Sequence, residues 1–280
     1  MPELPEVETI ARGLAKHITG DVIESVWLGS KPEPLKSPAE EIVRALEGAR
    51  IAAVQRMGKH IVFHLEGEAV GRRPKRQPVH TSHAHWTVHL GMTGSLRVCD
   101  PAAEVAPHTH AILKLRSGRE LRFVDPRRFG RLSVHRDGFQ ASGVEPLDVG
   151  FELFVGLFRG RKTPIKSALL NQKLLRGVGN IYADEALARA GVRPRRRAAT
   201  LTRAELRRLY SSLQKVLELA IAAGGSSISD YVDADGEPGF FQIQHRVYGR
   251  EGKPCRRCGA AIRRVVIAGR SSHYCPHCQK

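Results

Sequence analysis

The chain opens Met1-Pro2-Glu3, and that order could do chemistry. A Pro at the second position favours removal of the initiator Met, which would leave a secondary amine on Pro2. An α-amino group titrates at about 8, well below a lysine at about 10.4, so a useful fraction is unprotonated at neutral pH. Such an amine attacks an aldehyde or a sugar C1′ and becomes an iminium, an electron sink. Glu3 beside it is placed to move protons. Taken alone, the pair reads as a frayed acidic terminus of no consequence. The second chemical set closes the chain: Cys255-x2-Cys258-x16-Cys275-x2-Cys278. Two C-x2-C pairs at this spacing point to one zinc ion held by four thiolates, a closed and therefore structural site.

The elements that must position these groups change in character along the chain. Between residues 22 and 134 short apolar runs alternate with Gly, Pro and Asp: Val22–Leu28, Ile51–Gln55, Ile61–Leu65, Trp86–Leu90, Ser95–Val98, Ala111–Leu115, Leu121–Val124 and Arg131–Val134. This is the pattern of a β-rich sandwich or barrel. A helix is expected before it at Val7–His17 and another inside it at Ala39–Leu46, with Ser37 as its cap ahead of Pro38. Gly67–Ala84 breaks the pattern. It is polar and basic (Arg72, Arg73, Lys75, Arg76), with His80, His83, His85 and His89 near it, and reads as an exposed loop between strands rather than a metal site. After residue 143 the period becomes helical, at Phe151–Phe158, Pro164–Leu170, Ile181–Ala190 and Ala204–Ala223. Thr202 and Glu205 stand at capping-box spacing and Gly224-Gly225 stops the last helix. Gly224–Phe241 is rich in Gly, Ser and Asp and reads as a mobile loop. In the cysteine module Ala261–Ile267 and Ser271–Tyr274 read as a hairpin turning at Ala268-Gly269, with Arg270 just past its tip. The domains expected are residues 1–140, β-rich; 141–225, helical; and 226–280, a loop followed by the zinc module.

Charge narrows the partner. Lys and Arg number 45 against 28 Asp and Glu, a net +17, so a polyanion is expected. No run approaches the roughly 20 apolar residues of a membrane span, and the N-terminus lacks signal-peptide regions, so a cytoplasmic protein is expected. Cys99 alone is outside the pairs and reads as a buried small hydrophobe. Gly177-Val-Gly-Asn180 lies between two helical segments. There glycines and a helix N-terminus could approach a phosphate, or the four residues could be an ordinary helix–helix corner. Arg161, Lys162, Lys166, Lys173 and Arg176 around it favour phosphate, whereas the run Arg193–Arg197 reads as a solvated basic loop.

Six blocks in order carry a family resemblance: MPELPEVETI, RMGKHIVF at Arg56–Phe63, HLGMTG at His89–Gly94, DPRRFGRL at Asp125–Leu132, NQKLLRGVGNIYADEAL at Asn171–Leu187, and VYGREGKPCRRCG with GRSSHYCPHCQ around the cysteines. Over nearly its full length the chain resembles the bacterial formamidopyrimidine-DNA glycosylases. The resemblance implies an α+β, two-domain fold: a β-sandwich N-terminal domain, then a helix-two-turn-helix domain followed by a zinc-bound β-hairpin finger. It implies removal of oxidised purines (8-oxoguanine, formamidopyrimidines) from double-stranded DNA, followed by β,δ-elimination at the abasic site, by a monomer. Pro2 would be the nucleophile and Glu3 the acid/base. Lys59 would be the proton donor for β-elimination, and Arg270 the finger arginine that grips the flanking phosphate and serves δ-elimination. Met92, Arg127 and Phe129 would fill the gap left by the flipped base. His108, Arg127, Arg161, Lys166 and Asn180 would contact phosphates, and Gly224–Phe241 would close over the base. From the residues alone, Lys59 and Arg270 read as solvated turn residues and Met92 and Phe129 as core. Two other readings stand beside this one. An endonuclease VIII-type enzyme usually begins Pro-Glu-Gly-Pro-Glu, not the Pro-Glu-Leu-Pro-Glu present here. A zinc-containing module that binds damaged DNA without cutting would not need a free Pro2 amine.

Overall fold

In the computed structural model the described residues are 1–68, 81–227 and 231–280. They form two compact units. One comprises Met1–Pro2, Glu6–Gln140 and Ser227–Gly239, the other Glu3–Pro5, Ala141–Ser226 and Phe240–Lys280. The first helix, α1 (Leu4–Ile18), therefore begins in one unit and continues in the other.

The first unit is an antiparallel β-sandwich. One sheet has the order β1 (Ile23–Leu28), β6 (Thr109–Leu115), β7 (Glu120–Val124), β5 (Ser95–Cys99). The other runs β2 (Arg50–Met57), β3 (His60–Glu68), β4 (Thr81–His89), β8 (Arg131–His135). The period of two in the sequence explains the burial. In β3, Ile61, Phe63 and Leu65 enter the core while His60, His64 and Glu66 are half-buried on the other face. Core residues of both sheets join Val7, Ile10, Leu14 and Ile18 of α1 in one apolar cluster. Helix α2 (Ala39–Leu46) forms where expected, but Ser37 does not cap it. Pro38 occupies that place, and the Ser37 hydroxyl oxygen accepts the Val134 N–H at 3.0 Å instead. Cys99 is half-buried, not buried.

The strands extend further than the basic segment suggested. β3 and β4 pair as far as Glu68 and Thr81, so Gly67 and Thr81–Ala84 are strand, not loop. Arg72, Arg73, Lys75, Arg76 and His80 lie outside the described residues. Histidines recur in register on this sheet: His60 opposite His89, His64 opposite His85, and His85 opposite His135.

The second unit packs α3 (Phe151–Phe158), α4 (Ile165–Leu170), α5 (Asn180–Ala190) and α6 (Arg203–Ala222) around a core that includes Leu4, Phe154, Tyr182, Leu213 and Phe241. Thr202 and Glu205 form the expected capping box. In the run Arg193–Arg197, Arg193, Arg195 and Arg197 are exposed, as a solvated basic loop requires, and Arg196 is half-buried. Arg196 grips the Glu205 carboxylate and holds it at about 2, and Arg193 donates to the Gln279 and Pro276 carbonyls, each at 2.8 Å. Strands β9 (Arg263–Ile267) and β10 (Arg270–Tyr274) make the hairpin, with Ala268 and Gly269 both at positive φ in a two-residue turn.

Candidate active site and nucleic-acid interface

In the second unit, Glu3 lies on the N-terminus of α5. Its carboxylate accepts the Ile181 N–H at 3.0 Å and the Tyr182 N–H at 3.4 Å, two donors that have no partner within the helix. The glycines before α5 exist for this approach. A Cβ on Gly179 would lie 2.1 Å from the Glu3 carboxyl carbon. The helix end read as a phosphate cradle therefore already holds an anion, and it belongs to the protein. The Leu4 N–H donates to the Gly177 carbonyl at 3.0 Å, so residues 3 and 4 are both fastened to the turn before α5. Glu3 is 3% exposed.

The same helix supports the finger. Asp184, one turn on from Asn180, is fully buried and meets the fully buried Lys166 of α4 at 2.7 Å. The Lys166 ammonium also donates to the Ser271 carbonyl at 2.6 Å, and Asp184 accepts the His273 N–H at 2.8 Å. Asn180 Nδ2 donates to Ser271 Oγ at 3.4 Å. Lys166 was expected at a phosphate, and burial corrects that. Its side chain is 0% exposed and its charge faces Asp184, with burial itself pulling its pKa below the ordinary lysine value. Arg270, the first residue of β10, is exposed. Arg161 is exposed just past α3, where its guanidinium donates to the Leu157 carbonyl.

In the first unit, Pro2 is buried and follows an exposed Met1. While Met1 remains attached, the Pro2 nitrogen is an amide and carries no nucleophilic lone pair. Lys59 is half-buried at the tip of the β2–β3 hairpin, after Gly58 at φ 63°. Met92 and Phe129, which hydropathy alone assigns to the core, are 41% and 53% exposed. Arg127 lies over the Phe129 ring at 4.9 Å.

One carboxylate that sequence reasoning left without a role organises these loops. Asp125, fully buried at the end of β7, accepts the Thr93 hydroxyl at 2.7 Å, the Gly130 N–H at 2.7 Å and the Arg127 N–H at 3.3 Å. The Asp125 N–H donates to the carbonyl of exposed His108, itself at φ 65°. Thus Met92, His108, Arg127 and Phe129 all sit on loops tied to one residue. The loops also touch directly: a Cβ on Gly91 would lie 2.5 Å from the Phe129 carbonyl carbon. The signal that could have found Asp125 is its place ahead of Pro in DPRRFG, an anion between a strand and a turn of cations.

The four cysteines fit a metal. Their sulfurs lie within 4.8 Å of one another, with Cys255 and Cys278 at 3.9 Å and Cys258 and Cys275 at 3.5 Å. A tetrahedral tetrathiolate with Zn–S of about 2.3 Å requires sulfurs about 3.8 Å apart. Arg257 and Cys278 backbone N–H groups donate to Cys255 and Cys275 sulfurs, each at 3.4 Å, which suits thiolate charge. The site holds one structural zinc ion. Among the described residues no other group of His, Cys, Asp or Glu is gathered as closely.

Three family models match in sequence order. "Formamidopyrimidine-DNA glycosylase N-terminal domain" covers residues 1–132, "Formamidopyrimidine-DNA glycosylase H2TH domain" covers 143–232, and "Zinc finger found in FPG and IleRS" covers 252–280. The chain is 46% identical over 292 residues to the formamidopyrimidine-DNA glycosylase of Thermus thermophilus, covering 100% of this chain and 98% of that one. It is 44% identical over 284 residues to that of Solibacter usitatus, covering 100% of both. The crystal structure of the Thermus thermophilus protein superposes with a TM-score of 0.84 at 43% identity, covering 99% of this chain and 98% of that one. A complex of the Lactococcus lactis protein with DNA containing an abasic site superposes at 0.86 and 32% identity, covering 99% of each chain. No helix among the described residues is long and apolar enough to cross a membrane.

Proposed function

Because the chain belongs to the formamidopyrimidine-DNA glycosylase family, we propose that its residues divide between them the excision of oxidised purines from duplex DNA and the cleavage of the strand at the resulting abasic site. The observation that carries this reading is the placement of Glu3. It is a buried carboxylate bonded next to Pro2 and held by two backbone N–H groups of α5. Once Met1 is removed, the Pro2 amine attacks C1′ of the damaged nucleotide. The bond from C1′ to the base breaks and the base leaves with a proton. Glu3 assists that departure and protonates the sugar oxygen as the ring opens, leaving an iminium between Pro2 and C1′. The iminium acidifies C2′–H, and β-elimination expels the 3′ phosphate with Lys59 as proton donor. A second elimination, served by Arg270, expels the 5′ phosphate. A one-nucleotide gap with phosphate at both ends results.

Reaching C1′ requires the base out of the stack. Met92 and Phe129 are exposed apolar side chains on tied loops and suit a wedge, and Arg127 suits the orphaned partner base. His108, Arg127, Arg161 and Asn180 are assigned to phosphates. Gly224–Phe241, of which 228–230 lie outside the described residues, is assigned to the flipped base. The zinc site shapes the finger and takes no part in bond making. The enzyme acts as a monomer in the cytoplasm, on the nucleoid. The decisive comparison is excision of 8-oxoguanine opposite cytosine against excision of thymine glycol. The purine lesion is expected to be removed at least about tenfold faster, a difference of about 1.4 kcal/mol in transition-state binding. Preference for thymine glycol would place the protein with the pyrimidine-specific enzymes.

A further inference from the structure

The residue that opens β10, Arg270, is assigned to the DNA, but its own backbone bonds stay within the hairpin, where it pairs with Ile267 and its carbonyl accepts the Ser272 hydroxyl at 3.4 Å. It begins a strand after a two-residue turn and its side chain is exposed. What fixes it lies one and three residues further on. The Ser271 carbonyl takes the Lys166 ammonium at 2.6 Å, and the His273 N–H is taken by Asp184 at 2.8 Å. His273 Nδ1 lies 3.2 Å from the same Asp184 oxygen. Lys166 and Asp184 are both 0% exposed and pair at 2.7 Å. Two buried opposite charges are costly to hold away from water, and apolar residues of similar volume are often as stable. A buried pair is therefore weak evidence for stability and better evidence for geometry. Here each partner of the pair also bonds the backbone of β10, so the pair acts as a two-point clamp from α4 and α5 onto one strand.

We infer that Asp184 and Lys166 are positioning residues for Arg270, and that their clamp governs how far strand cleavage proceeds past the first elimination. The inference rests on the reading that Arg270 serves the second elimination. Neither residue is assigned a part in base excision or iminium formation, so those steps are expected to proceed without the clamp. Losing the clamp lets β10 shift against its phosphate by a fraction of a bond length, which is enough to slow a step that needs a placed guanidinium.

The test uses the zinc-loaded enzyme on duplex containing one 8-oxoguanine and separates the unsaturated-aldehyde end left by the first elimination from the 3′-phosphate end left by the second. Asp184→Asn keeps a hydrogen-bond acceptor for His273 but removes the charge opposite Lys166. It is expected to raise the ratio of first to second product about tenfold, with base excision and borohydride trapping within about twofold of the parent. The double variant Asp184→Leu with Lys166→Met removes both charges and restores apolar packing. It is expected to melt near the parent and yet keep the altered product ratio. Recovery of the parent ratio together with the melting temperature would show a merely structural pair and overturn the inference. So would an unchanged ratio in Asp184→Asn, or a fall in excision equal to the fall in second elimination. Arg270→Ala separates the two levels. If it abolishes the second product while Asp184→Asn leaves the product ratio unchanged, the clamp fails and the role of Arg270 stands. If it leaves the second product intact, the assigned role of Arg270 falls and the inference falls with it.

Discussion

Asp125 makes no bond to substrate in any step above, yet four of the side chains assigned to DNA hang from its loop system. Replacing it with Ala would leave the Thr93 hydroxyl and the Gly130 N–H without their acceptor, while the Arg127 N–H keeps the Thr93 oxygen at 3.3 Å. At about 1–3 kcal/mol for each buried donor left unsatisfied, the loss is about 3 kcal/mol after local relaxation. Urea unfolding of the Asp125→Ala protein measures it directly. Asp125→Asn keeps one acceptor oxygen and is expected to lose about half as much. The residues that sequence made legible are those whose chemistry depends on type and spacing. The C-x2-C pairs need no tertiary context to declare what they could do, whereas Pro2-Glu3 takes its meaning from the family resemblance. Lys166 and Asp125 needed tertiary context. A lysine among cations in the sequence looks like a phosphate ligand until burial places it against Asp184, and an aspartate before Pro looks like a turn residue until its three donors are seen.

At the scale of elements, the sheet β2-β3-β4-β8 carries a pH dependence of its own. Burial lowers the pKa of His60, His64 and His85, and takes that of His89 to about 4 with help from the neighbouring His60, Arg131 and Lys59 charges. Two of these rings must also stay neutral to accept: His85 Nδ1 takes the Phe139 N–H at 2.8 Å and His89 Nδ1 takes the Gly91 N–H at 3.1 Å. The sign follows from linkage. The folded pKa values lie below the unfolded value of about 6.5, so the unfolded chain binds more protons as pH falls. Stability from these groups is fully present above about pH 6.5 and declines from there toward about pH 4. Melting followed by the fluorescence of buried Trp86 is expected to show this decline, and His89→Gln to flatten it. A melting temperature flat between pH 7 and 5 would contradict it. Most of the eight sandwich strands were legible as short apolar runs between Gly, Pro and Asp, though not the start of β4 at Thr81–Ala84, and the helices because of their period and the Thr202–Glu205 box. The cap at α2 was not legible. Ser37 has the right type, but the edge of β8 offers its hydroxyl oxygen a better donor.

For the whole molecule, the excess of +17 says only that the partner is a polyanion. The fold divides those charges by task. Arg196 is paired with Glu205, Arg193 bonds carbonyls near the C-terminus, and Lys166 is buried. Lys59, Arg127, Arg161 and Arg270 remain as the assigned cationic contacts. About four neutralised phosphates predict a slope of about −3 to −4 for log binding constant against log salt. Arg127→Ala or Arg270→Ala is expected to lower that slope by about one, whereas Arg195→Ser and Arg197→Ser, exposed residues of the basic run, are expected to leave it near the parent value.

Charge selects DNA, but in the proposed mechanism the reaction rests on one uncharged amine. The most direct measurement is borohydride trapping on duplex DNA carrying a single 8-oxoguanine, made with the processed protein and with the same chain bearing an N-terminal extension that cannot be removed. The processed protein is expected to give a covalent adduct whose peptide map places the DNA on Pro2, and the extended protein none. An adduct of equal yield from the extended protein, or one mapped to Lys59, would contradict the assignment of Pro2 as the nucleophile.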